Sequence, residues 1–413
     1  MFTQVKHCRI CGNSNLERVL DLGDQVLTGV FPRTREEQVG HGPLRLVKCV
    51  GDEEESCGLL QLEHSYDLGE MYGDNYGYRS GLNASMVAHL HRKVERISHR
   101  IELESGDLVI DIGSNDATTL KAYVQPGLEL AGVDPTGSKF REYYPDHIAL
   151  IPDFFSAEAV RNRFGNRKAK VVTSFSMFYD LPAPMVFMEE IREILADDGI
   201  WVFEQSYMPS MLATNSFDTV CHEHLEFYAL KQIQWMADRV GFKIEDVEFN
   251  DVNGGSFSVT VRKTVGREPP NSQVALILND EAQAGLNGLG PFRAFEERAQ
   301  RARETIREFV EKARSEGKMV AGLGASTKGN VLLQYCGFSA DDICAIGEVN
   351  EDKFGSFTPG SLIPIVAEAS LLESNPDYLL VLPWHFREFF ERSPAFANRT
   401  LVYPLPEFSI SER

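Results

Sequence analysis

The chain has 413 residues, enough for two to four domains at roughly 100–200 residues each. With 43% hydrophobic and 25% charged residues it has a globular composition rather than a disordered one. Lys and Arg number 41 against 61 Asp and Glu, a formal charge of −20, which repels phosphate backbones and argues against a nucleic-acid partner.

The N-terminal residues MFTQVKHCRI lack a signal-peptide apolar run, and no apolar stretch approaches the ~20 residues of a membrane span. A cytoplasmic protein with no membrane contact is expected, and nothing calls for an obligatory protein partner. The seven cysteines, an odd count in a large chain, argue against a disulfide framework.

Residues 1–65 carry Cys8, Cys11, Cys49 and Cys57 among Gly-rich turns. Residues 66–85, rich in Tyr, Gly, Asp and Asn, read as a loop. The spacing of Met86, Leu90, Val94, Ile97 and Ile101 predicts a helix over 85–102. A strand–helix alternation then begins. DLVIDIG, LELAGVD, VVTSFSMF and GIWVFEQSY read as strands, with helices through Leu120, near Lys139 and over VFMEEIREIL. SFSVTVRK, after the turn NGG, reads as a late strand of the same doubly wound sheet. Residues 281–316 are helical and charged. A second α/β rhythm follows in KMVAGLG, GNVLLQY, DICAIGEVN and PDYLLVLPW. The expected organisation is α/β throughout, with three parts: 1–65, 66–280 and 281–413. The central and last parts are expected to be Rossmann-like α/β domains, the last behind a linking helix, and the first a small domain.

LVIDIGSNDATTL runs strand, tight turn, helix, and puts Asp111, Gly113 and Asn115 where the strand ends. Glycine at 113 permits the turn and lets a ligand approach the backbone. About twenty residues on, LAGVDP places Asp134 at the end of the next strand, where a carboxylate can accept both ribose hydroxyls of an adenosine. The dinucleotide fingerprint would want glycine at 115 and 117, but Asn115 and Ala117 stand there. A ligand with a ribose and no phosphate, such as S-adenosylmethionine, fits that loop better than a nicotinamide dinucleotide does. In IPDFFS, Asp153 could accept the adenine amino group with Phe154 against the ring; a capping Asp and a core Phe are the plainer alternative.

CRIC is a C-x2-C pair, and Cys49 and Cys57 make a looser C-x7-C pair around the insert GDEEES. Four thiolates can close a tetrahedral structural zinc site, which would supply folding energy to a domain this small. SFDTVCHEHLEFYAL is the densest chemistry in the chain. H-E-x-x-H would need His at 226, where Glu226 stands, and on a helix His222 and His224 would diverge by about 200°. A histidine can instead serve as a base for a carbon acid at neutral pH. Taken alone, the segment reads as a turn with satisfied histidines.

In combination these segments resemble the sugar C-methyltransferase family of nucleotide-sugar biosynthesis. The resemblance runs nearly end to end, through CRICG, the Cys49/Cys57 pair with GLLQL, NYGYRSG, IDIGSND, GVDP, FEQSY, FDTVCHEHLEFY, NGGSFSVTV, GASTKGN, NEDKFG and PGSLIPI. It implies a small zinc-binding N-terminal domain, a central Rossmann-like S-adenosylmethionine-dependent methyltransferase domain and a C-terminal Rossmann-like α/β domain. It implies too that a nucleotide-linked 4-keto-6-deoxy sugar loses a proton beside its ketone and that the enolate attacks the cofactor's methyl group, usually at C3. His224 matches the family's proposed base, Glu223 its neighbouring carboxylate, and Tyr76 or Tyr78 a tyrosine near the active site. Two departures stand out. Cys221 replaces a tyrosine before HEH, and SMFYDL puts Tyr179 or Asp180 where a histidine is usual. A thiol is a weak donor where a phenol is a good one, so Tyr179 is read as the hydroxyl that compensates.

GLGASTKGN follows a strand and opens a helix, whose N-terminal amides favour anions. The resemblance implies that this part holds the nucleotide-sugar, so Lys328 and Asn330 are read as substrate-binding residues at the diphosphate. His385 in PWHF is read as part of an aromatic cluster. Rival readings are O- or N-methylation of a sugar or other small molecule, and a non-catalytic zinc-bearing scaffold with a degenerate methyltransferase core.

Overall fold

A computed structural model describes residues 2–52, 55–66, 79–264, 266 and 268–411. The N-terminal strands are β1 (Phe2–Gln4), β2 (Leu16–Val26), β3 (His41–Cys49), β4 (Leu60–Leu62) and β5 (His64–Tyr66). β1 and β5 pair as a separate antiparallel ribbon. β2, β3 and β4 form an antiparallel sheet.

The central sheet uses β6 (Leu108–Ile112), β7 (Glu129–Val133), β8 (Ile148–Ile151), β9 (Ala169–Phe175) and β10 (Leu195–Ser206). After a two-residue strand β11 (Glu226–Phe227) come β12 (Phe242–Asn250) and β13 (Ser256–Lys263). The order is β12-β13-β10-β9-β6-β7-β8, with β13 antiparallel to both its neighbours and the other pairs parallel. Every residue of β6 is buried, as expected for a parallel strand covered on both faces. The chain leaves β6 for β7 on one side and returns to β9 on the other, so a crevice opens at the carboxyl ends of these strands. β11 belongs to a different sheet: it pairs with β4 and extends the N-terminal one to β11-β4-β3-β2.

The helix Ala84–Arg100 starts at Asn83, whose side chain accepts from the Ser85 and Met86 amides. Its buried face carries Leu90, Val94 and Ile97, as the spacing predicted, and Val94 and Ile97 share a core cluster with Val109 of β6 and Ile200 and Val202 of β10. Near Lys139 the structure has only a short 3-10 turn, Arg141–Tyr143, rather than a helix; Pro135, Gly137 and Pro145 leave no room for one. The helical stretch expected over 281–316 is broken. Ser272–Gln283 and Gly290–Ser315 are separate helices, parted where Gly285 takes φ +74°.

The last sheet is built from β14 (Val320–Leu323), β15 (Ile346–Glu348), β16 (Ile365–Ala367), β17 (Tyr378–Val381), β18 (Leu401–Tyr403) and β19 (Ser409–Ser411). Its order is β16-β15-β14-β17-β18-β19, parallel except for β19. No helix among the described residues is long and apolar enough to cross a membrane.

Candidate active site and zinc knuckle

The turn after β6 takes left-handed backbone at alternate residues, φ +73° at Gly113, +48° at Asn115 and +61° at Ala117. The Gly113 amide donates to Val133 O (2.8 Å), and a Cβ there would fall 3.1 Å from Met177 Cγ. Asp134 ends β7 almost fully buried. One carboxylate oxygen accepts from Asn115 N (2.8 Å), the other from Thr136 N (2.7 Å) and Thr136 Oγ1 (2.6 Å). A carboxylate has about four acceptor positions, so roughly one remains for a ribose hydroxyl. The Asn115 side chain turns the other way and accepts from Ser80 N (2.9 Å), while Asp116 accepts from Gly81 N (3.0 Å). The turn is thereby clamped by the segment that opens the helix Ala84–Arg100. Asp111 is buried below the turn and accepts from Thr173 Oγ1 (2.5 Å); burial pushes its carboxyl up to about 7. Asp153 and Phe154 are exposed beyond β8, and it is Phe155 that turns inward, edge-on to Phe187 at 5.0 Å.

The His-Glu-His segment is a turn, with His222 and Glu223 between Cys221 and His224 and the His224 amide donating to Cys221 O (3.3 Å). It leaves a 3-10 turn at Phe217–Thr219 and enters β11. His224 Nδ1 lies 2.9 Å from Thr219 O. A carbonyl only accepts, so Nδ1 carries the proton and Nε2 keeps its lone pair. Burial pulls the His224 pKa down to about 4, with Lys328 a further depressing charge, which keeps the ring neutral at pH 7. Tyr179 packs edge-on to the ring at 4.6 Å, and its carbonyl accepts from Leu225 N (2.9 Å). The two face a small cavity that Ser206 and Glu226 also line. Glu223 lies against Gly29, where a Cβ would fall 2.1 Å from its Oε1; burial pushes this carboxyl up to about 7.

His222 points elsewhere. Its ring nitrogens lie 3.5 Å from Thr28 Oγ1 and 3.4 Å from Gly42 O, and Tyr66 packs edge-on at 4.6 Å. Cys221 is fully buried, and loss of solvation pushes its thiol well up. Tyr76 and Tyr78 lie outside the described residues.

Lys328 and Asn330 sit in the helix Thr327–Cys336, which packs against the 217–219 turn, with Tyr335 edge-on to Phe217. Lys328 is half-buried, and its charge acts on Asp218, Cys221, His224 and His385. It therefore belongs with the His-Glu-His segment. Asn330 is fully buried and donates its amide to Thr28 O (2.7 Å). His385 lies between the rings of Trp384 and Phe386.

The Sγ atoms of Cys8, Cys11, Cys49 and Cys57 all lie within 4.8 Å of one another, with Cys8–Cys57 at 3.4 Å and Cys11–Cys49 at 3.5 Å. A tetrahedral Zn–S4 centre with bonds of ~2.3 Å has sulfur–sulfur edges of about 3.8 Å. The four thiols fit that ion.

The sequence matches three family descriptions in succession: a zinc binding domain over residues 8–72, a methyltransferase domain over 86–247, and a C-methyltransferase C-terminal domain over 251–406. It is also 30% identical over 416 residues to the C-methyltransferase NovU of Streptomyces niveus, covering 98% of this chain and 96% of that one. The chain belongs to the C-methyltransferase family. It is an S-adenosylmethionine-dependent methyltransferase with a zinc-binding N-terminal domain. Among solved structures, the methyltransferase is similar to YcgJ of Bacillus subtilis, at 14% identity, 43% coverage of this chain, 100% of that chain and a TM-score of 0.35. A second is the 1,6-didemethyltoxoflavin N1-methyltransferase of Burkholderia thailandensis, at 13% identity, 45% and 83% coverage and a TM-score of 0.34.

Several residues at the methyltransferase's site escape a reading of the sequence. Glu204 ends β10 with its carboxylate on His89 Nε2 (2.5 Å), Lys93 Nζ (2.8 Å) and Asn250 Nδ2 (2.8 Å). Asp218 accepts from Trp384 Nε1 (2.8 Å). Glu226 Oε1 stands 3.6 Å from Arg9 Nε. The acids were visible at a strand end and in the dense segment; their partners are too far away in sequence to be seen.

Proposed function

We propose that the methyltransferase alkylates a carbon beside the ketone of a nucleotide-linked 4-keto-6-deoxy sugar, with His224 as the base. The observation that carries this reading is the Thr219–His224 contact, which leaves a neutral imidazole with Nε2 free to take a proton. A carbon is a poor nucleophile until that proton is gone, so removal yields an enolate whose carbon attacks. When bound, S-adenosylmethionine supplies the electrophilic methyl group. Tyr179, edge-on to His224, is the hydroxyl for the sugar oxygen, in place of the phenol that Cys221 does not offer. Glu223 holds the segment against Gly29, and Lys328 places a positive charge near the enolate oxygen or the diphosphate.

In the same reading Asp134 and the Gly113–Asn115 turn hold the ribose side of the cofactor, with Asp111 beneath the turn. Asp153 and Phe154 receive the adenine, and the four cysteines hold zinc. The parts divide near residues 65 and 280. The test is exchange of the sugar's acidic hydrogen for deuterium from solvent, without methyl transfer. Wild type should exchange, and His224→Asn should slow exchange about 10²–10⁴-fold. Full exchange in His224→Asn overturns the base assignment, and methylation with no exchange in wild type points to an O- or N-acceptor.

A further inference from the structure

Arg9 lies inside the zinc knuckle, between Cys8 and Cys11, in a turn closed by Gly12 N on Cys8 O (2.9 Å). Its side chain is only 4% exposed. The guanidinium is not turned toward the cysteines. Nη1 donates to Leu62 O (2.7 Å) and reaches Leu225 O (3.5 Å), and Nη2 donates to His64 O (3.1 Å) and Ser65 Oγ (2.9 Å). Nε stands 3.6 Å from Glu226 Oε1. The backbone amide donates to Gln61 Oε1 (2.9 Å), which fixes the turn to β4.

Leu225 and Glu226 directly follow His224. Leu225 hangs between two carbonyl contacts, its own amide on Tyr179 O (2.9 Å) and its carbonyl on Leu62 N (2.9 Å). The Glu226 side chain is fully buried, and neither of its oxygens has a hydrogen-bond partner among the described residues. Burial pushes the Glu226 carboxyl well up, and Arg9, the cation that faces it among the described residues, pulls it back. The planar fork also ties the β4–β5 corner to the catalytic strand, which a point charge would do less well.

We propose that Arg9 is a positioning residue for the catalytic segment, through which the zinc knuckle holds His224 in register. This rests on His224 being the base. The zinc then serves the active site as well as the N-terminal fold: opening the knuckle withdraws Arg9 and frees the Leu225–Glu226 corner.

The test uses the full chain as wild type, Arg9→Met, Arg9→Lys and Glu226→Gln. Zinc per chain, S-adenosylhomocysteine affinity by calorimetry, and amide hydrogen exchange over residues 219–228 need no sugar. Turnover uses thymidine diphospho-4-keto-6-deoxyglucose as probe. Arg9→Met is expected to keep its zinc and its cofactor affinity. Exchange over 219–228 should quicken about tenfold. kcat should fall about 10- to 100-fold with KM little changed, as for a base displaced by about an ångström. Arg9→Lys should recover part of both losses. Glu226→Gln leaves the knuckle untouched and should loosen the same segment with zinc intact.

Unchanged exchange over 219–228 in both Arg9→Met and Glu226→Gln overturns the proposal. Loss of zinc in both Arg9 variants, with Glu226→Gln like wild type, also overturns it, since Arg9 would then serve only the knuckle. His224→Asn separates the two readings. If it still exchanges the substrate hydrogen, the base assignment fails, while the amide-exchange result stands by itself.

Discussion

At Gly113, Asn115 and Ala117 one backbone requirement is met by three different side chains. All three take positive φ, which costs glycine nothing, asparagine little and alanine more. The glycines of a dinucleotide loop are therefore absent while the turn they would make is present, and Asn115 uses its side chain to fasten Ser80. The two histidines of the dense segment illustrate the same separation of sequence from placement. They are two residues apart, but the Cys221–His224 turn parts them, so that His222 is wedged into the N-terminal sheet and His224 faces the cavity. Burial depresses both to about 4. An unfolded histidine titrates near 6.5, so between 6.5 and 4 the unfolded chain binds more protons. The stability from keeping them neutral is complete above pH 6.5 and is lost as pH falls through 4, at about 3 kcal/mol per histidine at most. Thermal melts from pH 7 to 4.5 should show a falling midpoint, and His222→Asn should flatten that fall.

Among the elements, the helix Ala84–Arg100 does more than cover the sheet. It carries His89 and Lys93 to the end of β10, where Glu204 receives both, and Lys93 continues to Glu248 on β12 (2.9 Å). The pairing with His89 and Lys93 holds the Glu204 carboxyl below its usual range despite burial. Glu204→Gln keeps the shape and removes the charge from a buried network. A loss of about 3–5 kcal/mol is expected, read as a lower urea midpoint. The strands of the central sheet were legible because parallel strands read as continuous Val/Ile runs, as LVIDI does. Lys139 and the 281–316 stretch were misread for opposite reasons. The first looked helical only by alternation with strands, and the second by composition that overrode Gly285 and Gly288. In the site, the place of Asp134 after a strand and the clustering of the four cysteines were legible from spacing. Arg9, Glu204 and Trp384 were not, because the partners Glu226, His89 and Asp218 that tie them to distant elements lie more than a hundred residues away.

Over the whole molecule, the cores do not follow the sheets one to one: the N-terminal and last sheets share a cluster, while the central sheet's strands lie in two others. One apolar cluster runs from Leu20 and Leu46 in the N-terminal sheet through Phe217 and Val220 beside the His-Glu-His segment. It continues through Phe292 and Ile306 to Leu323 and Leu380 in the last sheet. The candidate site lies where these parts meet, with Gly29, His224 and Lys328 each from a different one. Trp384→Phe keeps that packing but removes the donor to Asp218, whose other oxygen already has no partner among the described residues. A stability loss of about 1–3 kcal/mol by urea titration is expected, with slower turnover at unchanged cofactor affinity. The pairing of β11 with β4 also constrains how the chain is made. Gln61 meets Glu226, about 165 residues downstream. At ribosomal speed that partner arrives roughly 8–33 s later. Until then the outer edge of β4 presents unpaired amides and carbonyls beside apolar Leu60 and Leu62, a template for another nascent chain. The brevity of β4, three residues, limits that hazard while the rest of the protein is still being synthesised.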